Sequence, residues 1–174
     1  MQHVLFVVDS PNWAHDFKAD HLMQALKDGY LMRKRCQSEV AGSDIAWADL
    51  IVVFYWKQFN DENMQRLMPA FRENRHKLLI GISSHQELMG EWREPCLSLL
   101  RELAAGVFVN NLLLYRQYGP QFERPFFYTP NGVDTAFFTP GGNERQGGPF
   151  RVGWAGSLTN HGPVRGYDEY IVPA

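Results

Sequence analysis

Phe126-Phe127-Tyr128-Thr129-Pro130-Asn131-Gly132-Val133-Asp134, with Thr135-Ala136-Phe137-Phe138-Thr139-Pro140 directly after it, is the stretch around which the rest of the chain is ordered. The aromatic run reads as a buried strand, and Pro130-Asn131-Gly132 ends it. Pro130 fixes its own φ and biases Thr129 toward extended backbone, while Asn131 and Gly132 accept the positive φ of a tight turn. Beyond the turn the chain is polar and glycine-rich from Gly141 to Pro149, then resumes as a strand-like run from Phe150 to Gly156. The stretch therefore reads as the last strand of one α/β unit and the exit toward another. On local chemistry alone, an ordinary strand closed by a proline turn is the preferred account.

Upstream, four further apolar runs carry the strand signal: His3 to Asp9, Asp49 to Trp56, Lys77 to Ser84, and Gly106 to Val109. Continuous apolar runs mark strands buried on both faces, which favours a parallel sheet. Between them lie helical patterns. Ala14, Phe17, His21 and Ala25 recur at helical spacing up to Gly29. Asn60 or Asp61 can cap a helix whose apolar face is Met64, Leu67, Met68 and Phe71, and Pro69 predicts a kink or a restart there. A third helix is expected near Pro95 with Cys96, Leu99, Leu100 and Leu103 inward, and a fourth, short one opens at Asn110-Asn111. Residues 30 to 48 carry only a weak hint of a strand at Ser38 to Ala41. Strands alternating with helices predict right-handed crossovers and a Rossmann-like doubly wound parallel sheet. The organisation expected is a domain over 1–140, a linker over 141–149, and the incomplete start of a second α/β unit over 150–174.

Apolar residues make up 45% of the chain and charged residues 21%, with a net charge of -2, so nothing in the charge balance points to nucleic acid. Arg33-Lys34-Arg35 and the cluster from Arg72 to Lys77 read first as solvated helix ends, and second as membrane-surface or acidic-substrate patches. Cys36 and Cys96 lack metal-ligand spacing, so free thiols in a reducing cytoplasm are the simplest account. No run approaches the length of a membrane span.

In a doubly wound sheet the site gathers beyond the carboxyl ends of the strands. That edge is expected to carry Asp9, Ser10, Asn12 and Trp13, then Tyr55, Trp56 and Lys57, then Ser83, Ser84 and His85, then Asn110 and Asn111. Aromatic faces and hydrogen-bonding side chains in this mixture suit a polyhydroxyl ligand. Taken singly, Trp13 and Trp56 read as core aromatics, and His85 is balanced between an acid-base group and a plain surface histidine. Dinucleotide, Walker-type and nucleophile-elbow patterns are missing from the sequence.

Asn131-Gly132-Val133-Asp134 followed by Phe138-Thr139-Pro140 resembles the hinge signature of GT-B glycosyltransferases, in particular the large retaining family 4, where it joins the acceptor-side domain to the nucleotide-sugar domain. Gly153-Trp154-Ala155-Gly156-Ser157 and Arg165-Gly166 resemble the first donor-domain strand and its basic-glycine step. The resemblance implies transfer of a sugar from a nucleotide-sugar to an acceptor hydroxyl, with retention and without a catalytic metal or other cofactor. It implies a catalytic role for His85 and Arg165, and acceptor contacts from Asp9, Ser10, Asn12, Trp13, Tyr55, Trp56 and Asn110. Gly156, Ser157, Arg165 and Gly166 would face the donor diphosphate, with Ser157 standing where many members have arginine. The family's later acidic motif has no counterpart before Ala174, so the chain is expected to be an incomplete, inactive portion, open to self-association. A non-catalytic Rossmann-like binding or assembly module and a nucleotide-sugar epimerase of the same fold are the alternatives.

Overall fold

The computed structural model describes residues 1–133, 135 and 136, and for His85 and Gln86 the backbone only. The chain divides after Gly132 into two units. Asp134, Phe138-Thr139-Pro140, the linker, Arg165 and the other donor-side residues Gly156, Ser157 and Gly166 lie outside the described residues.

The first unit is an α/β fold built on six parallel strands: β1 (Gln2–Val8), β2 (Tyr30–Cys36), β3 (Leu50–Val53), β4 (Leu78–Ile82), β5 (Gly106–Val109) and β6 (Phe126–Tyr128). They stand in the order β2-β1-β3-β4-β5-β6, every neighbouring pair parallel. The chain first winds outward from β1 to β2, then returns past β1 to β3 and continues the other way. Right-handed crossovers then place α1 (Ala14–Leu26) on one face and α2 (Gly42–Trp47), α3 (Glu62–Arg66), α4 (Met68–Glu73), α5 (Arg93–Leu103) and α6 (Leu112–Tyr118) on the opposite face.

Strand periodicity sorts the core accordingly. Leu5, Val7, Ile51, Val53, Leu78, Ile80, Ile82, Val107 and Val109 meet Ile45, Phe59, Met64, Phe71, Leu100 and Leu103 in the large layer. Val4, Phe6, Val8 and Phe54 meet Ala19 and Met23 in the small one. Away from α1 this second face is covered by its own aromatics. The Phe108 ring crosses Gly81 to meet Phe54 edge-on at 6.2 Å, and Phe127 lies over Gly106 beside Leu79. Phe127 and Tyr128 remain 46% and 40% exposed.

Helix starts follow sequence chemistry. Asp61 caps α3 through Asn63 N (2.9 Å) and Met64 N (3.4 Å), and the helix restarts as α4 with Pro69 in its first turn. Asn111 caps α6.

Four expectations need correction. The aromatic run expected as a buried strand is the edge strand β6, in which Phe126 is half-buried and Phe127 and Tyr128 are exposed. No strand forms at Ser38 to Ala41; the strand is β2, and Gln37–Glu39 is a short 3-10 turn. Arg33-Lys34-Arg35 is therefore strand, not a helix end. Alternation sends Arg33 and Arg35 toward Asp44 of α2 (3.3 and 3.2 Å), and Lys34 toward Asp16 and Asp20 of α1 (2.5 and 2.6 Å). The inward face of α1 also differs, with Ala19 buried and His15, Asp16, Lys18 and Met23 half-buried, while Phe17 is 53% exposed.

Asp44 is nearly buried and also accepts from the Ala41 amide at 3.2 Å. Removing it strands that amide and two guanidinium groups, although these are 40% and 41% exposed and can turn to water. Asp44→Ala is expected to cost about 2 kcal/mol in urea unfolding. A loss below about 0.5 kcal/mol, the usual scatter of surface changes, would refute the assignment.

Candidate functional site

The winding reverses between β1 and β3, and in open α/β sheets such a switch point is where a crevice forms at the carboxyl ends of the strands. Asp9 leaves β1 there, and the turn Ser10-Pro11-Asn12 carries the chain into α1. Asn12 takes φ 59, a left-handed conformation asparagine tolerates, and its amide donates to Asp16 Oδ2 at 2.8 Å. The lysine hydrogen bond from Lys34, then that amide, hold the Asp16 carboxyl below its ordinary value. Burial opposes the charge of Lys34, but its bonds to Asp16 and Asp20 outweigh that and raise it.

The first turn of α1 delivers His15 into the crevice. Its Nδ1 lies 3.0 Å from Asp9 Oδ2, and its Nε2 lies 3.4 Å from Ser83 Oγ at the end of β4. The ring stacks on Phe54 at 5.7 Å and 11°, and tilts against Tyr55 at 6.1 Å. Three residues from three parts of the chain thus form one hydrogen-bonded line, with the imidazole side chain 14% and the aspartate 21% exposed.

Beneath Ser83 lies Glu87, 5% exposed, whose Oε2 accepts from the Ser83 amide at 3.2 Å. Burial raises its pKa to about 7, against the amides of Ser83 and Ser84 and the charge of Lys57. The Trp56 indole also favours the charged form, although Nε1 closes no hydrogen bond of good geometry among the described residues. Lys57 Nζ sits 3.8 Å over the Trp92 ring. Burial, then the Glu87 charge, pushes the Cys96 thiol up to about 12. The same two causes in the same order, with smaller contributions from Cys96 and Asp9, push Tyr55 up to about 12.

Lys18, one turn beyond His15, donates to Asn131 Oδ1 at 2.8 Å, which ties the turn after β6 to α1. Burial lowers its pKa.

The sequence expectations divide on this geometry. Asp9 is in the line, Ser10 donates its amide to Asp9 Oδ1, and Asn12 shapes the turn. Trp13 is 61% exposed beside them, and Tyr55 is half-buried against His15. Trp56 is 2% exposed within the large core layer, so its ring offers no face to a ligand. Asn110 follows the end of β5 and is half-buried. His85 lies in the 3-10 turn after β4, with only its backbone described, so its acid-base role has no geometry to support it. His15 was missed. The sequence placed a histidine soon after the aspartate of a strand end, but its aim depends on the left-handed backbone of Asn12, which residue type does not give.

Among the described residues, no cluster of His, Cys, Asp or Glu is placed to hold a metal ion. None of their helices is long and apolar enough to cross a membrane. A depression of about 490 Å³ lies elsewhere, lined by Leu97, Leu100, Tyr118, Phe122, Arg101 and Arg124. The strand-end site differs from it in that Asp9, His15 and Ser83 hydrogen-bond to one another in a line. Comparison with known families, curated proteins and solved structures gives no match to this chain.

Proposed function

We propose that the first unit is the acceptor-side half of a two-lobed glycosyltransferase, which moves a sugar from a nucleotide-sugar donor to a hydroxyl. The observation that carries this reading is convergence at the carboxyl ends of the sheet. Asp9, His15 and Ser83 meet beside exposed Trp13, and Lys18 ties the same helix to Asn131 of the hinge-like sequence. A saccharide needs an apolar platform for a ring face and acceptors for its hydroxyls. Trp13 is such a platform, and Asp9 and His15 are such acceptors.

The test is a titration of the 174-residue protein with maltose, uridine diphosphate-glucose and guanosine diphosphate-mannose, followed by tryptophan fluorescence. Saccharide binding is expected to change the emission, and Trp13→Ala to weaken it about five- to tenfold, about 1 kcal/mol. Binding that Trp13→Ala leaves intact would remove the platform.

The exposed pair Phe127 and Tyr128 favours a second reading, a binding or assembly module in which aromatics meet a protein partner. Self-association on size exclusion, with no response to any of the three ligands, would select it.

A further inference from the structure

The depression beside α5 shares no residue with the strand-end site and has two walls. One is a stripe of α5, on which Arg93, Leu97, Leu100 and Arg101 follow at helical spacing over about 12 Å. The other is the chain between the end of α6 and β6, which contributes Tyr118, Gln121, Phe122, Glu123 and Arg124. Leu97 and Leu100 are buried and Tyr118 and Phe122 half-buried, so the floor is apolar.

The second wall is held in place. Phe122 packs on Phe126 at 5.0 Å, and Gln121 Nε2 donates to the Gln117 carbonyl at 2.7 Å. The Arg124 guanidinium donates to the carbonyl of Ala104, the residue that caps α5. A volume of about 490 Å³ falls within the range of small-molecule sites, roughly 300 to 1,000 Å³.

Charge selects the occupant. Three arginines against one glutamate leave this lining a surplus of two positive charges, in a chain whose net charge is -2. The fold accounts for two of the three. Arg101 lies in the last turn of α5, where the helix dipole favours a cation, and Arg124 satisfies the helix end. Arg93 opens the helix, where the dipole disfavours a cation, and Glu94 engages it through Nη1 alone. Among the described residues Arg101 makes no hydrogen bond or ion pair, and Glu123 makes none with the three arginines.

We infer that this depression binds a small organic anion, an oxyanion group carried on a flat or short apolar body. The body lies on Leu97, Leu100, Tyr118 and Phe122, and the planar fork of Arg101 takes two oxygens of the anion at once. A long acyl chain laid along the stripe would end against a guanidinium at either end, which sets this ligand apart from a lipid held in a bilayer. The site is separate from the saccharide reading and stands or falls without it.

Two probes that share one aromatic body read the charge directly. Anilinonaphthalenesulfonate carries a sulfonate, and phenylnaphthylamine lacks it. Fluorescence titration of the 174-residue protein is expected to find saturable binding of the sulfonate, displaced by naphthyl phosphate and not by inorganic phosphate. Arg101→Glu is expected to weaken the sulfonate about tenfold or more, and Arg101→Lys about threefold. The uncharged probe is expected to change less than about twofold with either variant. Arg101 is exposed, so the urea midpoint should stay where it is in both. Gln121→Trp, which fills the depression from an exposed position on its rim, is expected to abolish sulfonate binding.

Sulfonate binding that Arg101→Glu leaves unchanged, or that falls in parallel with the uncharged probe, overturns the proposal. So does displacement by phosphatidylglycerol vesicles without displacement by naphthyl phosphate, which would make this face a bilayer contact. Competition by maltose overturns it as well, since the probe would then sit at the strand ends.

Discussion

Replacing Gly81 with alanine is expected to lower the unfolding free energy by about 3 kcal/mol or more. A Cβ at this position would stand 2.2 Å from the Phe54 carbonyl oxygen and within 2.8 Å of two Phe108 ring atoms. The oxygen belongs to the backbone at the end of β3, between β1 and β4, and cannot retreat without parting the sheet. Phe108 cannot rotate away without abandoning Phe54. Gly42→Ala is the matched control, since nothing lies within 4 Å of its Cβ position and it opens α2, where alanine is the better helix former. Chemical unfolding should find the control neutral or slightly stabilised. A loss below about 1 kcal/mol at Gly81 would mean that the aromatic ring is not seated across it as described.

The second large effect is a dependence of stability on pH that runs through Glu87. Its folded-state pKa stands at about 7 against an ordinary value of 4.5, with burial as the first cause. A tenfold change in proton affinity is worth about 1.4 kcal/mol, so the difference amounts to about 3 kcal/mol. The sign follows from the direction. The neutral carboxyl is the form the interior favours, so its contribution is complete below pH 4.5 and is lost as pH rises through about 7. Glu87→Gln keeps an oxygen for the Ser83 amide and cannot ionise. Wild-type stability is expected to fall by about 3 kcal/mol between about pH 5 and about pH 8 relative to this variant. Parallel urea-derived profiles for the two proteins would contradict it.

Most of the fold was legible because β1, β3, β4 and β5 are written in apolar residues that only a doubly buried strand can use. β2 was not. It lies at the margin of the sheet, and its second half is Arg33-Lys34-Arg35, so its alternation there is one of ion-pair partners and not of hydrophobicity. A window that counts apolar residues is blind to it. The face of α1 was misassigned for a related reason. Its inward positions are small or polar, Ala19 and His15, whereas its large apolar residues Phe17, Leu22 and Leu26 face outward at 37% exposure or more.

The candidate site was half legible. Placement at strand ends found Asp9, Ser10, Asn12, Trp13, Tyr55 and Ser83, because a parallel sheet fixes that edge. The same argument overreached at Trp56, which follows Tyr55 into the core as the chain turns inward after β3. His15 needed the angle at which α1 leaves β1, and that angle is set by the left-handed Asn12, a backbone detail that residue type does not announce.

The two margins of the sheet also have a consequence for how copies of the molecule can meet. Along β2, three consecutive residues, Arg33, Lys34 and Arg35, are cations already matched to acids of their own chain, so a foreign strand laid there would face charges with no role for it. Among the described residues β6 carries no such guard, and it is short and aromatic. Among the described residues, strand-to-strand pairing of two first units is therefore left to β6, and a twofold that pairs β6 with β6 consumes that margin in both copies, so such growth stops at the pair rather than running on into a fibre.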